Sequence, residues 1–337
     1  MSFRNGEVVE VRSEAEILAT LDREGELEAL PFMPEMLQFC GKRFKVSARA
    51  IKLCDTINWT GMHRMEDAVH LENLRCDGQA HGGCQAGCLI YWKEAWLKPV
   101  ESGGPDPAGR ETQPGVATAT DQPPGLGSHC TVNTLLSATR ADAGSAALGD
   151  ERYACQATQL MRAAPARIPW WDPRQYVRDL RVGNASIGAM IRFLIIMLFN
   201  KFQTANRRYL PRFPLVHGAK NYPFIDGSLR RTPSETLNLQ PGELVEVKSK
   251  QEIVATLDKN NKNRGLLFDV EMLRYCGQRA RVLRRVDHII EEPTGKMMHL
   301  PNDCIVLDGV VCRSGYYGFC PRNIYPYWRE IWLKRVE

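Results

Sequence analysis

Residues 6–101 and 242–337 align with each other without a gap at an offset of 236, and this repeat limits the possible folds more than any other feature. Gly6-Glu7 matches Gly242-Glu243, Ala19-Thr20-Leu21-Asp22 matches Ala255-Thr256-Leu257-Asp258, and Cys40-Gly41 matches Cys276-Gly277. Glu35-Met36-Leu37 recurs as Glu271-Met272-Leu273, and Trp96-Leu97-Lys98 as Trp332-Leu333-Lys334. About 36 of the 96 aligned positions are identical, where chance at a single offset gives a handful. The chain therefore reads as a tandem duplication of one small module, and equal loop lengths predict backbones that superpose.

Each copy reads as strand, helix, helix, then short strands. Val9 and Val11 alternate with Glu10, the period of a half-buried strand. Ser13 and Glu16, like Ser249 and Glu252, have capping-box spacing and open a short helix. A second helix is expected after Pro34, and after Asp269 as N-cap, ending at Gly41 and Gly277. Strands follow at 43–46, 69–74 and 96–100. Trp92, Trp96, Trp328 and Trp332 are expected in cores. The fold class is α+β: two small modules, each an SH3-like barrel with a helical insertion or a small α+β sandwich. Domain boundaries are placed at 1–101, 102–166, 167–234 and 235–337.

The segment between the copies is of two kinds. Residues 102–166 begin rich in Gly, Pro, Ala, Ser and Thr and read as a flexible linker, too poor in apolar surface to offset ordering entropy. Cys130 and Cys155 have no evident ligand partners there. Residues 167–234 read as a basic helical insert. Asp172-Pro173 opens one helix and Gly183 closes it. The run from Ile187 to Phe199 is apolar apart from Gly188 and Arg192, and as a helix spans about 20 Å, short of a bilayer core. It is either a buried bridge between the modules or an in-plane helix on an anionic membrane surface, with 167–212 as the contact and Arg207, Arg208 and Arg212 facing it.

Copy one concentrates soft ligands. Cys76, His81, Cys84 and Cys88 fall within thirteen residues around Gly82-Gly83, and Cys40 and Cys54 are within reach. Thiolate and imidazole must converge at about 2.0–2.3 Å on one ion, so this cluster points to a metal, with zinc the natural choice. Copy two keeps Cys276, Cys312 and Cys320, replaces His81 by Tyr317 and Cys88 by Ile324, and adds Cys304, making it the weaker site. The competing readings are reactive thiols and small buried hydrophobes. Asp22, Asp258, Glu35 and Glu271 recur in both copies and read as caps and ion-pair partners.

No nucleophile elbow, phosphate-binding loop, dinucleotide fingerprint or HExxH occurs. Residues 1–101 have a net charge of −4, residues 102–241 +6 and residues 242–337 +3, which argues against nucleic acid as a partner of the modules. The N-terminus has no secretory pattern, so the eleven cysteines are expected reduced in a cytoplasm. The strings LPFMPEML, HGGCQAGCLIYWKEAWL, LPNDCIVLDGVVC and IYPYWREIWLKRV resemble segments of an uncharacterised bacterial tandem-repeat, cysteine-rich family. The resemblance implies a bacterial cytosolic setting and carries no activity with it. The expected function is an accessory, assembly or recognition protein with an unknown protein partner, a metal in copy one and a membrane-peripheral location. The alternative is a metal- or thiol-dependent enzyme centred on Cys76, His81, Cys84 and Cys88.

Overall fold

A computed structural model describes residues 3–100, 130–141, 151–209 and 216–336. The chain is a mixed α+β protein whose two largest sheets, both antiparallel, are separate, with four smaller sheets beside them among the described residues. In the first unit, 6–101, a curled half-barrel sheet has the strand order Leu89–Lys93, Ala68–Arg75, Arg43–Arg49, Val8–Val11, Leu97–Pro99. In the second unit, 242–337, the order is Ile305–Leu307, Arg279–Arg285, Leu244–Val247, Leu333–Arg335.

The pairings recur at the sequence offset. Val8 faces Lys45 and Leu244 faces Arg281; Val9 faces Pro99 and Val245 faces Arg335. The same register shift falls between Val46 and Ala48 and between Val282 and Arg284. Both capping boxes form, on helices α1 (Glu14–Leu18) and its counterpart Lys250–Val254. The helices expected after Pro34 and Asp269 are tight 3₁₀ turns, Pro34–Phe39 and Val270–Tyr275. Trp92, Trp96, Trp328 and Trp332 are buried at 0% exposure, and the indole N–H of Trp96 donates to Thr20 as that of Trp332 donates to Thr256.

Two places differ. The strand Leu89–Lys93 has only an isolated bridge as its counterpart, Ile305 to Trp328. Pro326 stands there where the first unit has Ile90, and proline has no N–H to give a ladder. The hairpin Lys52–Cys54/Met62–Arg64 pairs Leu53 with His63, whereas its counterpart pairs Ile289 with Met298, one residue out of step.

The middle segment corrects the linker expectation over much of its length. Residues 102–129 and 142–150 lie outside the described residues. Helices α2 (Val132–Ala138) and α3 (Gln156–Ala163) are folded against the first unit, and Cys130, Leu135, Leu160 and Ala164 join its core. Gln156 reaches the backbone of Tyr91 and Pro31, and Arg167–Ile168 adds a strand to the Met62–Arg64 hairpin. The reason is that few apolar side chains suffice when they enter an existing core rather than build one.

Helix α4 (Arg174–Val182) ends at Gly183 in the left-handed conformation, as expected, with Asp172 accepting from the Arg174 N–H at 3.0 Å. Helix α5 runs Ile187–Tyr209, ten residues past the apolar run, and is about 34 Å long. By length and composition it is long enough to cross a membrane. It is not a buried bridge: only Met190, Phe193, Gln203 and Asn206 are buried. Ile187, Ile191, Ile195, Leu198, Phe202 and Tyr209 are exposed. At 100° per residue these six fall within an arc of about 80°.

The two units meet reciprocally. The Cys54 N–H donates to the Cys320 sulfur at 3.1 Å, and the Ile290 N–H donates to the Cys84 sulfur at 3.3 Å. Positions 54 and 290, and 84 and 320, are offset partners. Thr56 hydrogen-bonds Glu292, its own offset partner. Arg322 closes the contact through the Thr56 hydroxyl at 2.7 Å and Glu292 at 2.7 Å.

Candidate metal centre

Glu35, Cys76 and His81 place their ligand atoms within 4.8 Å of one another in a buried position, and the group could hold a metal ion. Among the described residues no other grouping of three His, Cys, Asp or Glu does so. Glu35 sits on the 3₁₀ turn after Met33, and Cys76 follows the strand Ala68–Arg75. His81 is delivered by a tight turn in which the His81 and Gly83 N–H groups both donate to the Gly78 carbonyl at 2.9 Å. Gly78 has φ +74°, and a Cβ there would lie 2.1 Å from the Cys84 carbonyl oxygen, so only glycine fits.

The His81 ring is held on both nitrogens. Nδ1 lies 2.6 Å from Glu35 Oε1 and Nε2 lies 3.0 Å from the Ala154 carbonyl. The two contacts together fix the orientation of the ring. Burial pushes the Glu35 carboxyl up, but the bond and charge of His81 outweigh it and hold the group below its ordinary value. Glu35 Oε1 also accepts from the Ala80 N–H at 3.1 Å, while Oε2 is buried with no partner. That orphaned oxygen is an acceptor position the protein itself does not fill.

The cysteines separate by role. Cys76, Cys84, Cys88 and Cys155 line one cavity of about 320 Å³ with His81. Of the expected set only Cys76 and His81 belong to the close group. Cys84 is not in it, its sulfur accepting from the second unit. Cys88 is not in it either: its carbonyl accepts the Cys76 N–H at 2.9 Å, and burial pushes its thiol up to about 12. Cys40 ends the 3₁₀ turn against the core, where burial and the charge of Glu14 raise its thiol to about 11. Burial also pushes Cys76 far up and Cys155 to about 11.

In the second unit the four expected cysteines are dispersed. Cys276 ends its own 3₁₀ turn. Cys304 lies 3.6 Å from the Arg329 guanidinium and Cys312 lies 3.5 Å from the Ser314 hydroxyl. Cys320 is buried in the core of the first unit. Sequence reasoning missed Cys155, which arrives from the presumed linker, and took Glu35 for a cap. Asp22 and Asp258 do cap turns, each accepting from N–H groups two and four residues on. The signal for Glu35 was a carboxylate kept within an apolar run, LPFMPEML, at an offset-matched position.

Compared with family models, curated proteins and solved structures, the chain finds no match.

Proposed function

We propose that this chain is a non-catalytic recognition or assembly protein, built from two copies of one SH3-like module, in which Glu35, Cys76 and His81 hold a structural zinc ion. The convergence of those three side chains carries the reading. Carboxylate, thiolate and imidazole are all donors zinc accepts, and one of the cavity's other thiols, Cys88 or Cys155, supplies the fourth. Zinc entry displaces the Cys76 proton and the one shared by His81 and Glu35. It also widens their 2.6 Å contact, because two ligands on one ion at about 2.0–2.3 Å lie more than about 3 Å apart. The rival, a thiol enzyme, needs a thiolate and a free base. Burial keeps Cys76 protonated in the absence of metal, and His81 is clamped on both nitrogens.

Metal analysis of protein purified without chelator tests this. The expected result is one zinc per chain, lost in Cys76→Ser and in His81→Ala. Metal-free protein that binds no added zinc sinks it. Cobalt substitution separates the two classes: a tetrahedral spectrum indifferent to added azide means four protein ligands, and a shifting one means an open, reactive position.

The face of α5 supports a second element of the reading, a seat on an anionic lipid surface at the inside of a bacterial membrane. Lys201 and Arg208 flank the apolar stripe on one side, placed to reach headgroups, while Arg192 on the other side meets the Tyr316 hydroxyl. Arg207 points away from it, contrary to the sequence expectation, and Arg212 lies outside the described residues. Trp170 stands beside the helix, its ring 4.6 Å from the Lys201 ammonium. Because α5 packs its other face on protein, it lies in the plane of the bilayer. Co-sedimentation with vesicles is expected with anionic lipid at low salt and lost with zwitterionic lipid alone. No binding to either removes this element.

A further inference from the structure

A second cavity, larger than the one beside the metal group, lies away from it. It encloses about 700 Å³ between α5, the Cys54–Met62 hairpin of the first unit and the second unit's counterpart of the metal centre. That size is typical of small-molecule sites. Phe193, Ile196 and Met197 give it an apolar wall, and Trp59, Trp170 and Tyr176 an aromatic one. Its other end holds Asp269, Glu271, Cys312, Tyr316 and Tyr317.

Matching these residues to the first unit shows what has changed. Glu271 is the offset partner of Glu35, and accepts the Tyr316 N–H at 2.6 Å as Glu35 accepts the Ala80 N–H. His81, the imidazole that meets Glu35, is replaced by Tyr317. Met33 is replaced by Asp269, which accepts from the Tyr317 hydroxyl at 2.5 Å. The second unit therefore lacks that imidazole and has a second carboxyl in its place. Glu271 is 4% exposed, and neither it nor Asp269 forms an ion pair among the described residues. Burial raises both carboxyls, opposed at Glu271 by the Tyr316 N–H and the charge of Arg274, and at Asp269 by the Tyr317 hydroxyl. The cations lining the cavity, Arg167 and Lys201, are exposed.

We propose that this cavity binds an organic ammonium ion with an apolar body, its cationic head against Glu271 and Asp269 and its body along Phe193, Ile196 and Met197. A buried carboxyl pair facing an apolar, aromatic-walled space is completed by a ligand that brings positive charge on a hydrophobic frame, and aromatic faces attract such cations. The proposal does not depend on zinc in the first unit.

The test uses three probes of one length, octylamine, octanol and octanoate, titrated into the full chain by calorimetry at neutral pH below their aggregation limits. Octylammonium is expected to bind saturably, at least about tenfold more tightly than octanol, with octanoate weakest. In Glu271→Gln that preference is expected to fall to near unity while octanol binding persists, which also shows the variant folded. If Glu271→Gln does not fold, the wild-type comparison decides alone. Equal or tighter binding of octanol, or no saturable binding of any probe, overturns the proposal.

Discussion

Lys52 and Asp179 form the most deeply buried ion pair in the molecule's described part, with side chains 1% and 0% exposed and 2.5 Å between Nζ and Oδ2. Burial pushes the lysine down and the aspartate up, each opposed by the other's charge. Removing one partner strands a buried charge. Lys52→Met is therefore expected to cost about 3–5 kcal/mol in urea unfolding, and Lys52→Met with Asp179→Leu to regain most of it. Glu35 gives a pH signature in metal-free protein. Its carboxyl is held below the ordinary 4.5, so its contribution is present above that value and is lost as pH falls through the lower folded one. Glu35→Gln is expected to lose less stability than wild type between about pH 4.5 and pH 2; parallel acid limbs would show that the His81 contact contributes nothing.

At the scale of elements, α5 stands out as a long helix with an exposed apolar stripe. Ile191 and Ile195 are 55% and 63% exposed, so charges there disturb no core. Ile191→Asp with Ile195→Asp is expected to leave the thermal midpoint within a few degrees of wild type, since surface changes fall within about 0.5 kcal/mol. It is expected to abolish sedimentation with anionic vesicles. Retained sedimentation would place the contact elsewhere. The two capping boxes recur because they are local, and the Thr–Trp indole bonds recur because both units carry the same residues 76 positions apart. Strand Leu89–Lys93 fails to recur because Pro326 breaks it locally.

The whole molecule is held by the reciprocal contact between its units. Arg322 is its most buried charged member, bound to Glu292, to Thr56 and to the Cys54 carbonyl at 3.4 Å. Contacts in which residue i meets j while their offset partners meet in reverse are the pattern of a two-fold interface, here within one chain. Calorimetry is expected to show one cooperative transition. Arg322→Ala leaves Glu292 without its cation and is expected to cost about 3 kcal/mol or separate the transition into two; an unchanged single transition would mean that the units do not depend on this contact.

Much of this was legible in the residues. Strand alternation at Val9 and Val11, capping boxes, the glycine stop at 183 and buried tryptophans follow from local chemistry and from a repeat that reports the same backbone twice. The candidate site was half legible. Cys76 and His81 were singled out by spacing, and they do meet. Glu35 lies some forty residues earlier, and no local rule shows that a 3₁₀ turn sets it against a glycine-rich loop. Cys84 has the right spacing but the wrong destination, because its sulfur is used between units. The folded half of the presumed linker, the exposure of α5 and the unanswered carboxyls at Glu271 and Asp269 depend on which surfaces meet across long stretches of chain. Sequence determines what each segment can bury, and tertiary structure alone decides what it is buried against.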